Sequence, residues 1–534
     1  MILTSLDNIS QVQETVLGAA HSESVSIFGE EGYRNFAQRH RLEDFNPIYG
    51  NYAIISKTPD ATRISTDHFG LFRLYVYRSD EAFAVSDSIL ELVEFARTNR
   101  LPVTPYAPAA HAFLIGKGVG QQLSSFRTPV AEIELVPHWC DVVLCTGKLE
   151  LERKPDVKWT QDLREANWQA GRFFASLLRS YVEAGMRPFI RMSAGLDSRC
   201  TLAAMLCISD HDCLKYVGLQ TSRQENRAHE RRIVMDMIEY TPFEEIDRIP
   251  SIGRTDWSDW KRAHLGSRSH FAKQLTYGPP FPGFTGACGE LAREFYDWDG
   301  TVSGIRMPNV IPEDIREQVS DDIAAAVARF DGQCKDLLTV ENKHYQMFRN
   351  RFHFGSALSE TIFGFPPLVY ALLSNDTGRG ANEPLHRLIF ELGGKEVLEH
   401  EFDEEEKGFA GPIPMDWRQV RFSESDLIER EIYLDGLMAG SQFSEAERAN
   451  RVARPVPRLV SDQFLGECSA LLAEVKYQGL LSDHLVSVAQ KQLATLRDKR
   501  DRAIPAIFPA LFAALSLGVP AMDRRIDSRA DTSG

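Results

Sequence analysis

The 534-residue sequence predicts an α+β N-terminal sandwich over residues 1–155, followed by an α/β parallel-sheet domain over 156–534 with a large helical C-terminal part. Short strands separated by turn residues fill the first part, which is typical of packed sheets. Helices and apolar strands alternate after residue 162, as they do in parallel sheets. Beyond residue 311 the pattern is mainly helical, and it is helical again after Ser423.

The N-terminal strands are predicted from apolar runs that end at turn residues. Residues 74–77 and 83–85 flank the polar segment 78–81, and this arrangement predicts a hairpin. Residues 131–135 and 141–145 form a second pair of short strands. The remaining predicted strands are 48–56, 63–66 and 149–151.

Composition and charge exclude several classes of function. The chain is 43% hydrophobic and 25% charged, as expected for a globular enzyme. Its net charge of −15 argues against binding the backbone of a nucleic acid. Eight cysteines without metal-ligand spacing predict reduced thiols in a cytoplasmic protein, and the N-terminus shows no signal-peptide pattern. The uncharged stretch 503–522 contains three prolines, which favour a kinked buried helix over a membrane span.

The second domain begins with an amphipathic helix over 162–186, whose apolar residues recur at intervals of three and four. An apolar strand at 189–192 follows, and a second strand is predicted at 214–219 before a charged helix at 225–238. Ligands of parallel sheets bind at the carboxyl ends of the strands, where Ser193 and Gln220 fall. His229 is interpreted as a solvated or capping residue, with a substrate contact as the alternative.

A turn of small residues joins the strand 189–192 to the next helix. Such a turn leaves backbone N–H groups free at a helix N-terminus, which attracts anions. The acidic Asp197 fits an anion site if Mg²⁺ lies between it and bound phosphates. An ordinary β-α turn with a serine cap is the alternative. The predicted phosphate-binding residues are Ser193, Ala194, Gly195, Leu196, Asp197 and Ser198.

The sequence Ser-Ala-Gly-Leu-Asp-Ser at 193–198 resembles the S-G-G-L-D-S pyrophosphate loop of the asparagine synthetase and β-lactam synthetase superfamily. The resemblance implies that the loop binds the phosphates of ATP and that Asp197 is a Mg²⁺ ligand. Ala194 replaces a glycine of the family loop, a change that ordinary backbone angles tolerate. Arg199 replaces a small residue and is a second departure.

A second segment, 284–290, resembles the S-G-x-G-x-D motif of the same family. The resemblance assigns Gly286 to nucleotide binding and Glu290 to the second Mg²⁺ position, where glutamate oxygens are acceptable ligands. A helix-capping role for Glu290 is the alternative. β-Lactam synthetases carry a catalytic tyrosine where this chain has Ala287. Glu360 lies near the position of their catalytic glutamate, but aligning 367–370 on the family's P-F-L-D puts Phe363 there.

The third segment, 407–417, resembles the family's mobile loop, which carries K-G-F, a proline and a tryptophan. The resemblance implies that Lys407 is the catalytic lysine and stabilises phosphate or oxyanion charge. Four acidic residues at 403–406 precede Lys407, so an ordinary surface ion pair is the alternative.

The first domain is similar to the glutaminase-type, or Ntn-hydrolase-like, domain of asparagine synthetases. Residues 49–53, 67–76 and 83–87 match its G-x-F-A, D-x-x-G-x-x-x-L-Y-Y and F-A-S-E segments in order and spacing. Enzymes of that class use an N-terminal Cys as the nucleophile, whereas this chain has Ile2 and no cysteine before Cys140. The domain is therefore predicted to be inactive as a glutaminase, as in β-lactam synthetases and lasso-peptide cyclases.

Together the resemblances imply an ATP- and Mg²⁺-dependent carbon–nitrogen ligase that forms AMP and pyrophosphate. A substrate carboxylate would be adenylated and then attacked by an amine of the same or a second substrate, as in lactam or macrolactam formation in natural-product biosynthesis. Ammonia-dependent amidation of a small acid and a non-catalytic scaffold are the alternatives. We expect no nucleic-acid or membrane partner. The sequence does not decide whether the chain forms a homodimer or associates with another protein of its pathway.

Overall fold

We describe a computed structural model of the chain. The residues it describes are 3–5, 11–112, 115, 123–145, 147–155, 159–209, 211–221, 227–239, 241–246, 253–254, 275–276, 282–292, 307, 309, 311–331, 348, 359–374, 382–434, 462–478 and 483–498.

The N-terminal part contains two sheets. One is four-stranded with the order β1-β7-β6-β8, and the other is seven-stranded with the order β10-β9-β5-β4-β2-β3-β18. Apolar residues of both sheets, including Ile55, Ile64, Val76 and Val85, pack into one buried cluster. The strands are β1 (Leu3–Ser5), β2 (Thr15–His21), β3 (Val25–Phe28), β4 (Tyr49–Lys57), β5 (Ala61–Thr66), β6 (Tyr75–Arg78), β7 (Phe83–Ser86), β8 (Ile133–Leu135), β9 (Cys140–Cys145), β10 (Lys148–Arg153) and, from the C-terminal part, β18 (Glu431–Tyr433).

The predicted N-terminal strands are confirmed to within two residues. β6 and β7 form the expected antiparallel hairpin, and β9 and β10 form another. β8 and β9, which the sequence suggested as a pair, belong to different sheets. The helices of this part are α1 (Gly29–Ala37), α2 (Ile89–Thr98) and α3 (Ala107–Ala112).

A five-stranded sheet forms the centre of the second part, and the parallel arrangement predicted there is confirmed. Its order is β13-β12-β11-β16-β17, and every pair is parallel. A separate antiparallel ribbon pairs β14 (Gly253–Arg254) with β15 (Leu275–Thr276). The strands of the parallel sheet are β11 (Phe189–Met192), β12 (Gly218–Thr221), β13 (Glu244–Glu245), β16 (Gly283–Phe284) and β17 (Ser359–Glu360).

Helices alternate with the strands of this sheet along the chain. Asp162 caps α4 by accepting from the backbone N–H groups of Arg164 and Glu165, as the predicted helix start requires. Its face from Phe173 to Tyr181 is buried, whereas Trp168, expected on the same face, is 38% exposed. The helices are α4 (Leu163–Glu183), α5 (Leu196–Leu206), α6 (Ala228–Met237), α7 (Glu313–Asp331), α8 (Pro366–Ser374), α9 (Glu383–Leu388), α10 (Lys395–Glu399), α11 (Asp462–Gln478) and α12 (Asp483–Asp498).

Two predictions of secondary structure were wrong. The strand predicted at 214–219 begins only at Gly218, because Leu214 belongs to a 3-10 helix, His211–Tyr216. Short apolar runs do not distinguish a strand from a buried helical turn. The helical pattern predicted after Ser423 is interrupted by β18, which pairs in parallel with β3 and so completes the N-terminal sheet.

A second element of the C-terminal part also packs on the N-terminal part. Helix α7 contacts α3, and the Tyr106 hydroxyl donates to the Asp322 carboxylate at 2.9 Å. Within the described residues, no helix is both long and apolar enough to cross a membrane, and no cysteine forms a disulfide. The predicted buried helix at 503–522 lies outside the described residues.

Candidate functional site

The turn between β11 and α5 is closed by its own serines. Ser198 Oγ donates to the Ser193 carbonyl at 2.8 Å and lies 2.9 Å from Ser193 Oγ. The backbone N–H of Gly195 donates to Ser193 Oγ at 3.2 Å. Gly195 is the N-cap of α5 and offers no side chain to cap the helix. The turn therefore directs the positive end of the α5 dipole toward the carboxyl end of the sheet.

Ala194 fits this turn without strain. In the part of the chain that the structure describes, the non-glycine residues with positive φ are Arg100 and Cys288. The backbone of Ala194 is therefore ordinary, and its methyl group is fully buried. The departure from the family's glycine needs no special conformation.

The second predicted segment packs directly on the first turn of α5. A Cβ added to Gly286 would lie 2.5 Å from the Asp197 carbonyl carbon, and one added to Gly289 would lie 2.3 Å from Asp197 Cγ. Thr201 Oγ1 donates to the Thr285 carbonyl at 3.0 Å. Between the glycines, buried Cys288 has a φ of 69°. Such left-handed residues cost about 1–3 kcal/mol and cluster at functional sites.

The second predicted segment places the backbone next to Glu290 against the side chain of Asp197. Gly289 touches the Asp197 carboxylate, and Glu290 is the next residue of the chain. Within the described residues, no group of three or more His, Cys, Asp or Glu side chains is arranged to hold a metal ion. Mg²⁺ in nucleotide sites typically takes one or two carboxylates and fills its shell with phosphate oxygens and water. Two carboxylates would suit that mode, whereas a cage made only of protein ligands needs more groups than the described residues bring together.

Asp403, four residues before Lys407, connects the third predicted segment to the turn. The backbone N–H of Asp403 donates to the Ala194 carbonyl at 3.4 Å, and a Cβ on Gly195 would lie 3.7 Å from Asp403 Oδ2. Lys407 Nζ lies 3.1 Å from Asp403 Oδ2 and 3.2 Å from Glu404 Oε2. Lys407 therefore forms ion pairs, and one of its partners, Asp403, is the residue that contacts the turn.

Lys407 keeps its positive charge at neutral pH. Partial burial lowers its pKa, but the contacts with Asp403 and Glu404 outweigh burial and raise it above the ordinary value. His386 Nε2 donates to the Lys407 carbonyl at 2.8 Å and fixes the backbone there. Trp417 is buried against Phe409 and anchors the other end of the segment.

Arg199, the second departure from the family loop, connects the turn to this segment. Its side chain is fully buried, and burial lowers its pKa to about 10. The guanidinium lies 3.5 Å over the ring of Phe402. It donates to the carbonyls of Val397 at 3.0 Å, His400 at 2.8 Å, Glu401 at 2.6 Å and Ala194 at 3.4 Å.

These bonds connect the backbone of the β11–α5 turn to the stretch 397–401, directly before Asp403 and Lys407. The motif comparison missed this role, because the resemblance marks Arg199 only as a mismatch. The signal that was available is the charge itself, since a buried guanidinium must find several acceptors.

A buried polar cluster lies beside the second segment, and the sequence did not predict it. Glu360, at the end of β17, accepts from the Tyr181 hydroxyl at 2.7 Å and lies 3.3 Å from His21 Nε2. Burial alone would raise the pKa of Glu360, but His21 and the hydroxyls of Tyr181 and Tyr49 outweigh it and lower that pKa. Arg430 lies close enough to interact electrostatically with Glu360.

Other predicted positions contribute less. His229 is exposed and lies 3.3 Å from Glu401 Oε1, which agrees with its interpretation as a solvated residue. Gln220 ends up on β12 and bonds the exposed Arg191. Ile2 lies outside the described residues.

The turn at 193–198 is thus contacted by the segment 284–290, about 90 residues further along the chain, and by the residues just before 407–417, about 120 residues further still. No protein-family model matches the chain, and no curated protein matches it either.

Proposed function

We propose that the chain is an ATP- and Mg²⁺-dependent synthetase that adenylates a substrate carboxylate and forms an amide bond. The observation that carries the proposal is the meeting of the three segments at one end of α5. Asp197 contacts Gly289, Gly195 approaches Asp403, and Asp403 bonds Lys407. An ordinary β-α turn would not require two distant segments to pack against it through glycines and carboxylates.

In this proposal the turn binds the phosphates. The N–H groups at the start of α5 are the anion donors, and the hydroxyls of Ser193 and Ser198, which bond each other and the turn's backbone, would reorient to add hydrogen bonds. Asp197 and Glu290 would hold Mg²⁺, which neutralises the charge of departing pyrophosphate. Gly286 and Gly289 keep the second segment close enough for its carboxylate to share that position. The chain thus positions ATP for attack by a carboxylate on its α-phosphate.

Lys407 would act in the step that forms the amide. Its ammonium is held close to the turn by Asp403 and carries charge at neutral pH. A compact cation there stabilises the negative charge that develops when an amine attacks the acyl-adenylate. The amine belongs to the same substrate, giving a lactam or macrolactam, or to a second one.

The test is binding of a non-hydrolysable ATP analogue, α,β-methylene-ATP, with and without Mg²⁺. We expect Mg²⁺-dependent binding that is lost in Asp197→Ala and kept in Asp60→Ala, an exposed aspartate far along the chain from the three segments. Release of pyrophosphate with pooled amino-acid and peptide carboxylates then identifies the substrate class. Binding that Asp197→Ala leaves unchanged would remove the proposal and leave the scaffold alternative.

A further inference from the structure

The parallel sheet and the N-terminal sheet meet at residues 360–361, and this joint leads directly to the predicted metal ligands. On one side of the joint is Tyr49, the first residue of β4. On the other is the segment 285–290, which contacts Asp197 and carries Glu290. Both sides bind the same two residues, Glu360 and Thr361.

A chain of hydrogen bonds crosses the joint. The Tyr49 hydroxyl accepts from the backbone N–H of Thr361 at 2.7 Å. Thr361 Oγ1 donates to the Ala287 carbonyl at 2.5 Å, and the backbone N–H of Thr285 donates to the Glu360 carbonyl at 2.9 Å. The backbone of 285–287 is therefore fixed by two residues that the N-terminal sheet holds in place.

The same joint is fixed by charge. Tyr49 also hydrogen-bonds the buried Glu360 carboxylate, which lies next to His21 of β2. Burial and the nearby Glu360 raise the pKa of Tyr49 well above its ordinary value, so its hydroxyl keeps its proton. His21 Nδ1 in turn lies 2.9 Å from Ser26 Oγ, which accepts from Arg430 at 3.0 Å. Breaking such a buried network is costly, so the joint has one arrangement.

We infer that the N-terminal sheet serves the proposed ATP site as its support, and that Tyr49 is a positioning residue for Glu290. The inference rests on the proposed function. On this inference the N-terminal domain has a structural role that does not require glutaminase activity. Glu290 follows a left-handed residue, Cys288, and a loop in such a conformation persists only when its surroundings hold it. The hydrogen bonds of Thr361 with Tyr49 and Ala287 keep the loop in this conformation.

The experiment measures how binding of α,β-methylene-ATP depends on Mg²⁺ concentration in full-length variants. Tyr49→Phe removes the acceptor for Thr361, and Thr361→Val removes the bond to Ala287. Each should raise the Mg²⁺ concentration for half-maximal binding about three- to tenfold, which is the worth of one neutral hydrogen bond. Affinity at saturating Mg²⁺ should change less than about twofold, because the contacts with the nucleotide are intact. A general loss of structure would weaken binding at every Mg²⁺ concentration.

Tyr52→Phe is the matched control. Tyr52 is another buried tyrosine of β4, and its hydroxyl donates to the Pro47 carbonyl at 3.3 Å, away from the joint. Its Mg²⁺ dependence should equal that of the wild type. If Tyr49→Phe fails to fold, Thr361→Val decides alone. Wild-type Mg²⁺ dependence in folded Thr361→Val overturns the inference and leaves the proposed function intact. A wild-type chain that binds no nucleotide removes both.

Discussion

Gly289→Ala tests whether Asp197 and the segment of Glu290 work together. The added Cβ would lie 2.3 Å from Asp197 Cγ and 2.5 Å from its Oδ1. Carbon atoms in contact are ordinarily about 3.5–4.0 Å apart, so the two groups must separate by more than about 1 Å. The φ of Gly289 is not in the left-handed region, so the backbone accepts alanine and the whole effect is steric.

A shift of about 1 Å at a catalytic group costs on the order of 100-fold in rate. Overpacking of this kind also costs about 1–3 kcal/mol of stability. We therefore expect pyrophosphate release to fall about 100-fold and Mg²⁺-dependent binding of the ATP analogue to weaken about tenfold, for a cost of about 1.4 kcal/mol. The assays are pyrophosphate release by a coupled enzyme and titration calorimetry with the analogue.

Gly466→Ala is the control for this prediction. Gly466 lies in α11, and a Cβ there meets nothing within 4 Å. Alanine in a helix is about 0.5–1 kcal/mol more favourable than glycine, so this variant should melt slightly higher and bind nucleotide as the wild type does. If Gly289→Ala binds and turns over like Gly466→Ala, the contact between the two segments has no role in the site.

Three further predictions concern charged residues. Arg199→Lys should lose about 3–5 kcal/mol of stability, and Arg199→Met a similar amount, because neither an ammonium nor a thioether can donate to four carbonyls; thermal melting checks this. Lys407→Gln should slow pyrophosphate release about 100- to 1,000-fold but cost less than about 1 kcal/mol, since its ion pairs are partly exposed. Glu360→Gln should lower the melting temperature at neutral pH. Because folding lowers the pKa of Glu360, its carboxylate stabilises the folded state at pH values above the ordinary glutamate pKa of about 4.3, and this stabilisation is lost as the pH falls below that value. The difference in melting temperature between Glu360→Gln and the wild type should therefore become smaller at acidic pH.

What the sequence could predict of the fold was mostly local. The strands predicted between residues 48 and 151, the helix over 162–186 and the strand at 189–192 were confirmed. Strands β1 to β3 and helices α1 to α3 were not predicted. The short apolar run around Leu214 was ambiguous, because a buried 3-10 turn and a strand look alike at that length. Strand β18 has only three residues, Glu431–Tyr433, and its partner β3 lies at the other end of the chain. Periodicity cannot detect such a pairing.

The same limit applies to the site. Motifs marked Asp197, Glu290 and Lys407 because each lies in a short run of characteristic residues. Three of the four acceptors of Arg199 lie 198 to 202 positions further along the chain, and the bond from Thr361 to Tyr49 spans 312 positions. Contacts of this kind depend on how the sheets meet, so only the structure reveals them.

Strand β18 has a consequence for the synthesis of the chain. Arg430, next to this strand, bonds the carbonyl of Glu23, which was made 407 residues earlier. At about 5–20 residues per second, the last strand of the N-terminal sheet leaves the ribosome roughly 20 to 80 seconds after β3. During that interval the edge of β3 lacks the strand that will cover it, and open edges pair with other chains. A fragment ending before residue 431 should therefore associate during expression, whereas the full chain covers that edge itself.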